Sequence, residues 1–338
     1  MNKPLSTWQF LLKHLQQNIP VMLLYVLESK GSSPGRQGFF MAVAQNGEME
    51  GSVGGGVMEH KFVELAREKL WDASSNLQVK KQYHDKEAKK DRSGMICSGE
   101  QTILLYTSQH EDKTTIERIV SCLRQNKNGK LILSPAGICF EEQSPERDFY
   151  YHFISENDWL YEEKIGYKNH LFIVGGGHCA LAFSKIMNDM DFYIRLYDNR
   201  KELNTVEKND YVHEKIIVED YSELASLIPA GDHHYLVVMT FGYRTDDIAV
   251  RALINKEFAF FGLLGSIAKI SKMFEQYRSE GIEERLLQKI HAPVGLSIHS
   301  QTPEEIAVSI AAQIIQVKNE KRSNADQNIP VETRSIKR

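Results

Sequence analysis

The chain has 338 residues, 42% hydrophobic and 25% charged, with 41 basic against 45 acidic side chains and a formal net charge of −4. Such a balance excludes an intrinsically disordered chain and gives no global pull toward nucleic acid or anionic lipid. With 22 Gly and 9 Pro it is not a fibrous or low-complexity protein, and its length predicts about two domains.

The first predicted element is a helix. Ser6 and Gln9 fit a capping box, and Trp8, Leu11, Leu12 and Leu15 follow at i, i+3, i+4 and i+7. The segment has no uninterrupted apolar stretch and no small-residue cleavage site, so it does not read as a signal peptide. Residues 20–29 predict a strand. Their apolar run, 21–27, is the longest strongly apolar one in the chain, far short of the about 20 residues that span a bilayer. The strand ends in GSSPGRQG (31–38). A second strand over 39–43 turns back through Asn46-Gly47, a hairpin signal. GSVGGG (51–56) then opens a helix with Met58, Phe62, Leu65 and Ala66 on one face. Residues 86–93 read as polar loop, Met95-Ile96-Cys97-Ser98-Gly99 as a turn, and 101–107 as a strand. A helix over 116–125 and a hairpin around 134–137 follow, and the charged residues 156–168 read as the bridge between two domains.

Beyond residue 170 the pattern becomes regular alternation. Residues 171–174, 192–197, 236–239 and 258–264 are strand-like, three of them continuous apolar runs of the kind that parallel strands covered on both faces show. Between and after them lie a helix marked by Phe183, Ile186, Met187 and Met190 and another with Ile267, Ile270, Phe274 and Tyr277 on one stripe. A last helix is capped by Thr302-Pro303-Glu304-Glu305 and buries Ala307, Ile310, Ala311 and Ile314. The fold class is therefore α/β. A mixed α+β domain over 1–165 precedes a Rossmann-like, doubly wound parallel-sheet domain over 166–320 and a flexible tail over 321–338.

Two glycine-rich regions carry the candidate chemistry. Strand 171–174 runs into Gly175-Gly176-Gly177-His178-Cys179-Ala180, a G-x-G-x-x-A match that opens a helix, and Asp198 lies 21 residues past Gly177. Gly175 permits the tight turn, Gly177 lets the backbone approach a pyrophosphate, Ala180 brings helix and strand together, and Asp198 can accept from a ribose hydroxyl. Asp198 favours NAD, and Arg200 leaves NADP open; a vestigial fold without ligand is the other reading. Thr240, Gly265, Ser266 and His291 fall near strand ends where this fold places ligands. His291 is either a general acid or base or a partner of a nearby carbonyl.

In the first half, Gly31, Ser32, Ser33 and Arg36, with Gly54, Gly55 and Gly56, can cradle an anion, or they are ordinary turn chemistry. Glu59 suits the helix dipole without further role, and His60 falls on the polar face. The four cysteines are scattered, which argues for a reduced cytoplasmic protein without a zinc cluster or iron–sulfur centre. Cys97, in a glycine-rich turn near Arg92, is either a low-pKa thiol that serves as soft ligand or sulfur acceptor, or a small buried apolar residue. Cys122, Cys139 and Cys179 read as structural.

Taken together, GSSPGRQG, GSVGGGVME, MICSG, LFIVGGGHCALAF with YDNR, FFGLLGSIAKISKMFEQYRSEGI and IHAPVGLSIHSQTPEEIAVSIAAQII resemble the xanthine dehydrogenase accessory factor family (XdhC/CoxI), from about residue 24 to 312. Three positions differ from members of that family: Gly56 stands where some carry Cys, Ser98 in their Cys-Gly-Gly segment, and Phe241 where a His often follows the Thr. The resemblance implies a cytoplasmic maturation factor, often a homodimer, rather than the dehydrogenase itself. It implies binding of the molybdenum cofactor, protection of it during sulfuration in which a cysteine desulfurase can take part, and delivery to a xanthine dehydrogenase-type molybdoenzyme. On that reading the loops at Gly31–Arg36 and Gly54–Gly56, with Cys97, hold the pterin. No membrane or nucleic-acid partner is expected. Two rivals are an NAD(P)-dependent oxidoreductase with His291 or His178 as proton donor, and a protein–protein adaptor.

Overall fold

The computed structural model describes residues 3–72, 77–83, 99–190 and 192–327, and the chain forms two compact units, Met1–Lys168 and Asn169–Arg338. The expected loop over 86–93 and Cys97 with its neighbours 95, 96 and 98 lie outside the described residues.

The first unit runs α1 (Lys3–Gln16), β1 (Val21–Gly31), β2 (Phe40–Ala44), β3 (Met49–Gly51), α2 (Gly56–Asp72), β4 (Leu77–Tyr83), β5 (Gly99–Thr107), α3 (Lys113–Arg124), β6 (Gly129–Ser134), β7 (Gly137–Glu141), β8 (Phe149–Ser155) and β9 (Asp158–Ile165). These strands make two antiparallel sheets, in the orders β3-β2-β1-β5-β4 and β7-β6-β9-β8. The unbroken apolar run in β1 exists because both of its faces are covered. Met22, Leu24 and Val26 pack with Met58, Phe62 and Ala66 of α2. Leu23 and Tyr25 pack with Trp8 and Leu11 of α1, Ile116 and Ile119 of α3, and Leu131 and Tyr161 of the second sheet.

Three sequence expectations change here. The N-terminal helix begins at Lys3, so Ser6 sits inside it and donates to Glu50 Oε1 (2.7 Å) instead of capping. Residues 158–165 are a paired strand, not a bridge. Alternation puts Trp159, Tyr161, Glu163 and Ile165 inward, while the charges that suggested a linker sit mostly on the other face. Cys139 is exposed on β7 between buried Ile138 and Phe140, so it is not a packing residue.

The second unit runs β10 (Asn169–Val174), α4 (His178–Asn188), β11 (Phe192–Asp198), α5 (Asn204–Glu207), β12 (Glu214–Ile217), α6 (Leu224–Leu227), β13 (Gly231–Val238), α7 (Tyr243–Leu253), β14 (Phe258–Leu263), α8 (Ile267–Ser279), α9 (Glu284–Leu287), β15 (Ile290–His291) and α10 (Pro303–Gln327). Its six strands are parallel in the order β12-β11-β10-β13-β14-β15. This is the doubly wound Rossmann arrangement, and its strand order reverses between β10 and β13. One face is covered by α4 and α10, through Phe183, Met187, Ala307, Ile310 and Ile314. The other is covered by α7 and α8, through Ala249, Val250, Leu253, Ile270, Met273 and Tyr277.

The expected apolar stripe of α8 loses its first member: Ile267 is exposed where the helix opens, and Met273 takes the buried place instead. Helix α10 runs to Gln327, into the segment expected to be tail, which holds no Gly or Pro before that point to stop it. No helix among the described residues is long and apolar enough to cross a membrane.

Candidate functional site

Ligands of doubly wound sheets lie outside the carboxyl ends of the strands at the point where strand order reverses. Here that point is framed by the loop after β10 and the loop after β13. The three glycines of the first loop do different work. A Cβ on Gly175 (φ +105°) would lie 2.4 Å from the Met239 carbonyl oxygen, and one on Gly176 would lie 2.2 Å from Val206 Cγ2, so both are required by close packing. Gly177 has no atom within 4 Å of that position and precedes the first turn of α4, so the backbone lies open to a ligand there. Ala180 is fully buried against the sheet, and His178 is exposed on the first turn.

Asp198, at the end of β11, is fully buried. Its Oδ1 accepts from the backbone N–H (2.9 Å) and Nε (2.8 Å) of Arg200, and its Oδ2 from Gly176 N (2.6 Å) and Arg200 Nη2 (2.7 Å). Burial alone would push this carboxyl up. The hydrogen bonds from Arg200 and Gly176 outweigh it and hold the pKa below the usual value. A carboxylate offers about four acceptor positions, and four donors fill them, so none remains for a ribose hydroxyl.

Across the crevice, Thr240 donates through its amide (3.0 Å) and hydroxyl (2.6 Å) to Oδ1 of Asp246, a fully buried acid in the first turn of α7. The other oxygen, Oδ2, is paired with Lys269 Nζ, which also donates to the Leu264 carbonyl (3.0 Å). Gly265 leaves room for the lysine stem, since a Cβ there would lie 3.1 Å from Lys269 Cδ. Ser266 caps α8 by accepting from Lys269 N (3.3 Å). Asp246 and Lys269 therefore belong to the constellation, although nothing in the sequence singles them out. An acid in a first helical turn reads as a dipole complement, and only the fold brings Lys269 back over the strand ends.

Phe241 projects beside them, 85% exposed, with the Arg200 guanidinium 5.9 Å from its ring centre. His291 is apart from this group. It lies on the edge strand β15, two strands from the reversal point, with its ring stacked on Phe260 at 4.5 Å, and burial holds its pKa low.

In the first unit the fold joins the two glycine loops. The Gln101 carboxamide donates to the Gly35 carbonyl (3.0 Å) and to the Val53 carbonyl (3.4 Å). A Cβ on Gly35 would come within 2.0 Å of Val53 O, and one on Gly54 within 2.3 Å of Gly35 N. Several expected phosphate donors are already engaged. Ser33 is buried and donates to Gly35 O (3.0 Å), while Arg36 Nη1 donates to Gly31 O (3.0 Å). Glu59 does more than suit the dipole: its Oε2 accepts from Ser52 Oγ (2.6 Å), Val53 N (2.9 Å) and Gly55 N (3.0 Å). The turn is thus an oxyanion cradle filled by the protein's own carboxylate. Ser32, Arg36 and Gly56 are exposed beside it, and nothing stands within 4 Å of a Cβ built on Gly55 or Gly56.

Fold and sites together define an antiparallel α+β unit carrying joined glycine loops, followed by a Rossmann unit with a glycine-lined crevice. A family model described as the XdhC Rossmann domain matches residues 171–314, and one described as the XdhC and CoxI family matches residues 14–79. The chain belongs to the XdhC and CoxI family. It is 24% identical over 306 residues to the uncharacterized protein YqeB of Escherichia coli, covering 90% of this chain and 44% of that protein. It is 25% identical over 159 residues to a Bacillus subtilis protein described as a probable xanthine dehydrogenase subunit, covering 47% of this chain and 46% of the relative. The chain thus matches about half the length of these curated relatives. The crystal structure of a xanthine dehydrogenase from Bacillus halodurans shares the fold, with a TM-score of 0.68 at 21% identity, over 93% of this chain and 96% of that one.

Proposed function

We propose that the chain is an accessory factor of a xanthine dehydrogenase-type molybdoenzyme. It holds the molybdenum cofactor on the joined glycine loops of the first unit while the terminal sulfur ligand is installed, then passes the cofactor on. The family supports this reading, and so does the similarity to a protein called a probable xanthine dehydrogenase subunit. A cysteine desulfurase as sulfur source, a homodimer and a cytoplasmic setting belong to the same proposal.

The observation that carries it is the stitching of two glycine loops into one surface through Gly35, Gly54 and the sequence-remote Gln101. That surface fits an anionic pterin at its open flank, where Ser32, Arg36 and the bare backbone of Gly55 and Gly56 are accessible. The cradle over residues 52–55 admits a phosphate only if Glu59 leaves it. When bound, the cofactor would supply the redox chemistry its target enzyme needs. Ser32, Arg36 and the backbone at Gly55 and Gly56 would bind its phosphate end. The second unit supplies a nucleotide site, framed by Gly177, Arg200 and Thr240.

The test mixes the purified full chain with molybdenum cofactor and follows the oxidised, fluorescent pterin through gel filtration. Co-elution is expected, weakened about tenfold by Arg36→Ala through loss of one charge-assisted contact. Free elution of the pterin at saturating cofactor removes the carrier reading.

A further inference from the structure

We infer that the crevice of the second unit takes an adenine nucleotide phosphorylated at the ribose 2′ position, recognised by Arg200 and Phe241. The inference rests on the nucleotide reading of that crevice and is independent of the pterin reading of the first unit.

An acid at the end of the second strand of a Rossmann sheet ordinarily reads the ribose diol, and an arginine nearby accommodates a 2′-phosphate instead. Both residues are present here, and the geometry chooses between them. The carboxylate of Asp198 is fully buried, and its four acceptor positions are occupied by Gly176 N and three N–H groups of Arg200. It has nothing to offer a hydroxyl. The guanidinium lies over it, 35% exposed. It spends Nε and one Nη2 proton on the acid, out of five guanidinium N–H donors. The remaining guanidinium donors are not spent on the acid and keep the fork geometry that matches a phosphate. A neutral 2′-hydroxyl would gain little from them.

Two further features fit the rest of such a ligand. Phe241, on the far lip after β13, is 85% exposed and 5.9 Å from the guanidinium carbon, so its open ring face can stack on a purine beside the arginine. Gly177 leaves the start of α4 bare for the 5′-phosphates. The buried acid also has a positioning role: it locks the Arg200 side chain into the orientation that presents its remaining donors.

Calorimetric titration of the full chain with 2′,5′-ADP against 5′-ADP, and NADP+ against NAD+, tests this. The 2′-phosphate is expected to tighten binding at least tenfold within each pair, since a charge-assisted bond is worth that much. Arg200→Met should erase that preference, and Phe241→Ala, at an exposed site that leaves the core intact, should weaken all four ligands by about tenfold. Equal affinities within each pair, or a preference that survives in Arg200→Met, would overturn the 2′-phosphate inference and leave a nucleotide site standing. Absence of binding by all four ligands to the folded wild-type chain would overturn both. The wild-type comparison decides the matter even if Arg200→Met does not fold.

Discussion

At the scale of single residues, the glycine loops separate positions that look alike in sequence. Gly35 and Gly55 both sit in glycine-rich turns. A methyl on Gly35 would overlap the Val53 carbonyl and the Gln101 amide at 2.0 and 2.3 Å, whereas one on Gly55 meets nothing and only forces a side chain to adopt φ +74°. Gly35→Ala should therefore break the junction between the loops and cost about 3 kcal/mol or more, in the range of severe overpacking. Gly55→Ala should cost about 1 kcal/mol, the ordinary strain of a left-handed alanine. Urea unfolding of the two variants checks the contrast, and equal losses would mean the loops are not locked together.

A second residue-scale case is Glu163, buried inside the first unit. It accepts from Tyr25 Oη (2.6 Å) and Tyr161 Oη (2.7 Å) and is paired with Lys168 Nζ (2.8 Å). Burial, and then the neighbouring carboxylate, push both phenols well above their ordinary pKa, so they remain donors. Glu163→Ala strands two buried hydroxyls and an ammonium at once, and a loss of about 3–5 kcal/mol is expected. Glu163→Gln keeps the shape and should lose less, which a thermal melt of both variants would resolve.

At the scale of elements, amphipathic periodicity and capping chemistry were legible wherever they were strong. The Thr302–Glu305 box forms as the sequence predicts: Glu305 N donates to Thr302 Oγ1 (3.2 Å) and Thr302 N to Glu305 Oε2 (3.1 Å). Thr302→Ala should cost α10 about 1 kcal/mol. Ile310→Ala, in the fully buried face against α4, should cost about 2–5 kcal/mol. An unfolding series in which the cap outweighs the face would contradict that order. Strand β9 was hidden because its inward row includes Glu163, a charge that alternation alone cannot assign to a core. Its burial depends on Tyr25, 138 residues away in sequence.

At the scale of the whole molecule, three histidines of the second unit contribute a loss of stability in mild acid. Burial lowers the pKa of His213, partly opposed by Glu214, and burial likewise lowers His234 and His291. Each fold position favours the neutral ring, so unfolding takes up protons below the unfolded pKa of about 6.5. Their stability contribution is complete above that pH and is lost as pH falls through the window beneath it. Asp198, whose pKa is lowered, weakens the fold only at more acidic pH, as pH falls from the ordinary carboxylate pKa toward its own lower one. The urea midpoint should therefore be lower at pH 5 than at pH 7.5, with a shallower slope in a His213→Gln/His234→Gln double variant. A midpoint that rises toward pH 5 would show that the rings are not buried as neutral groups.

The α/β class, the parallel alternation after residue 170, the glycine loops and the family resemblance were all contained in the order of residues, because backbone preference and side-chain periodicity act over a few neighbouring positions. How the charged groups at those loops are paired was decided in three dimensions. Asp198 becomes a buried anchor for Arg200, Glu59 fills its own cradle, and Lys269 returns across the strand ends to Asp246. Charges and donors are satisfied by whatever the folded chain brings within about 3 Å of them, and that proximity is a property of the tertiary structure alone.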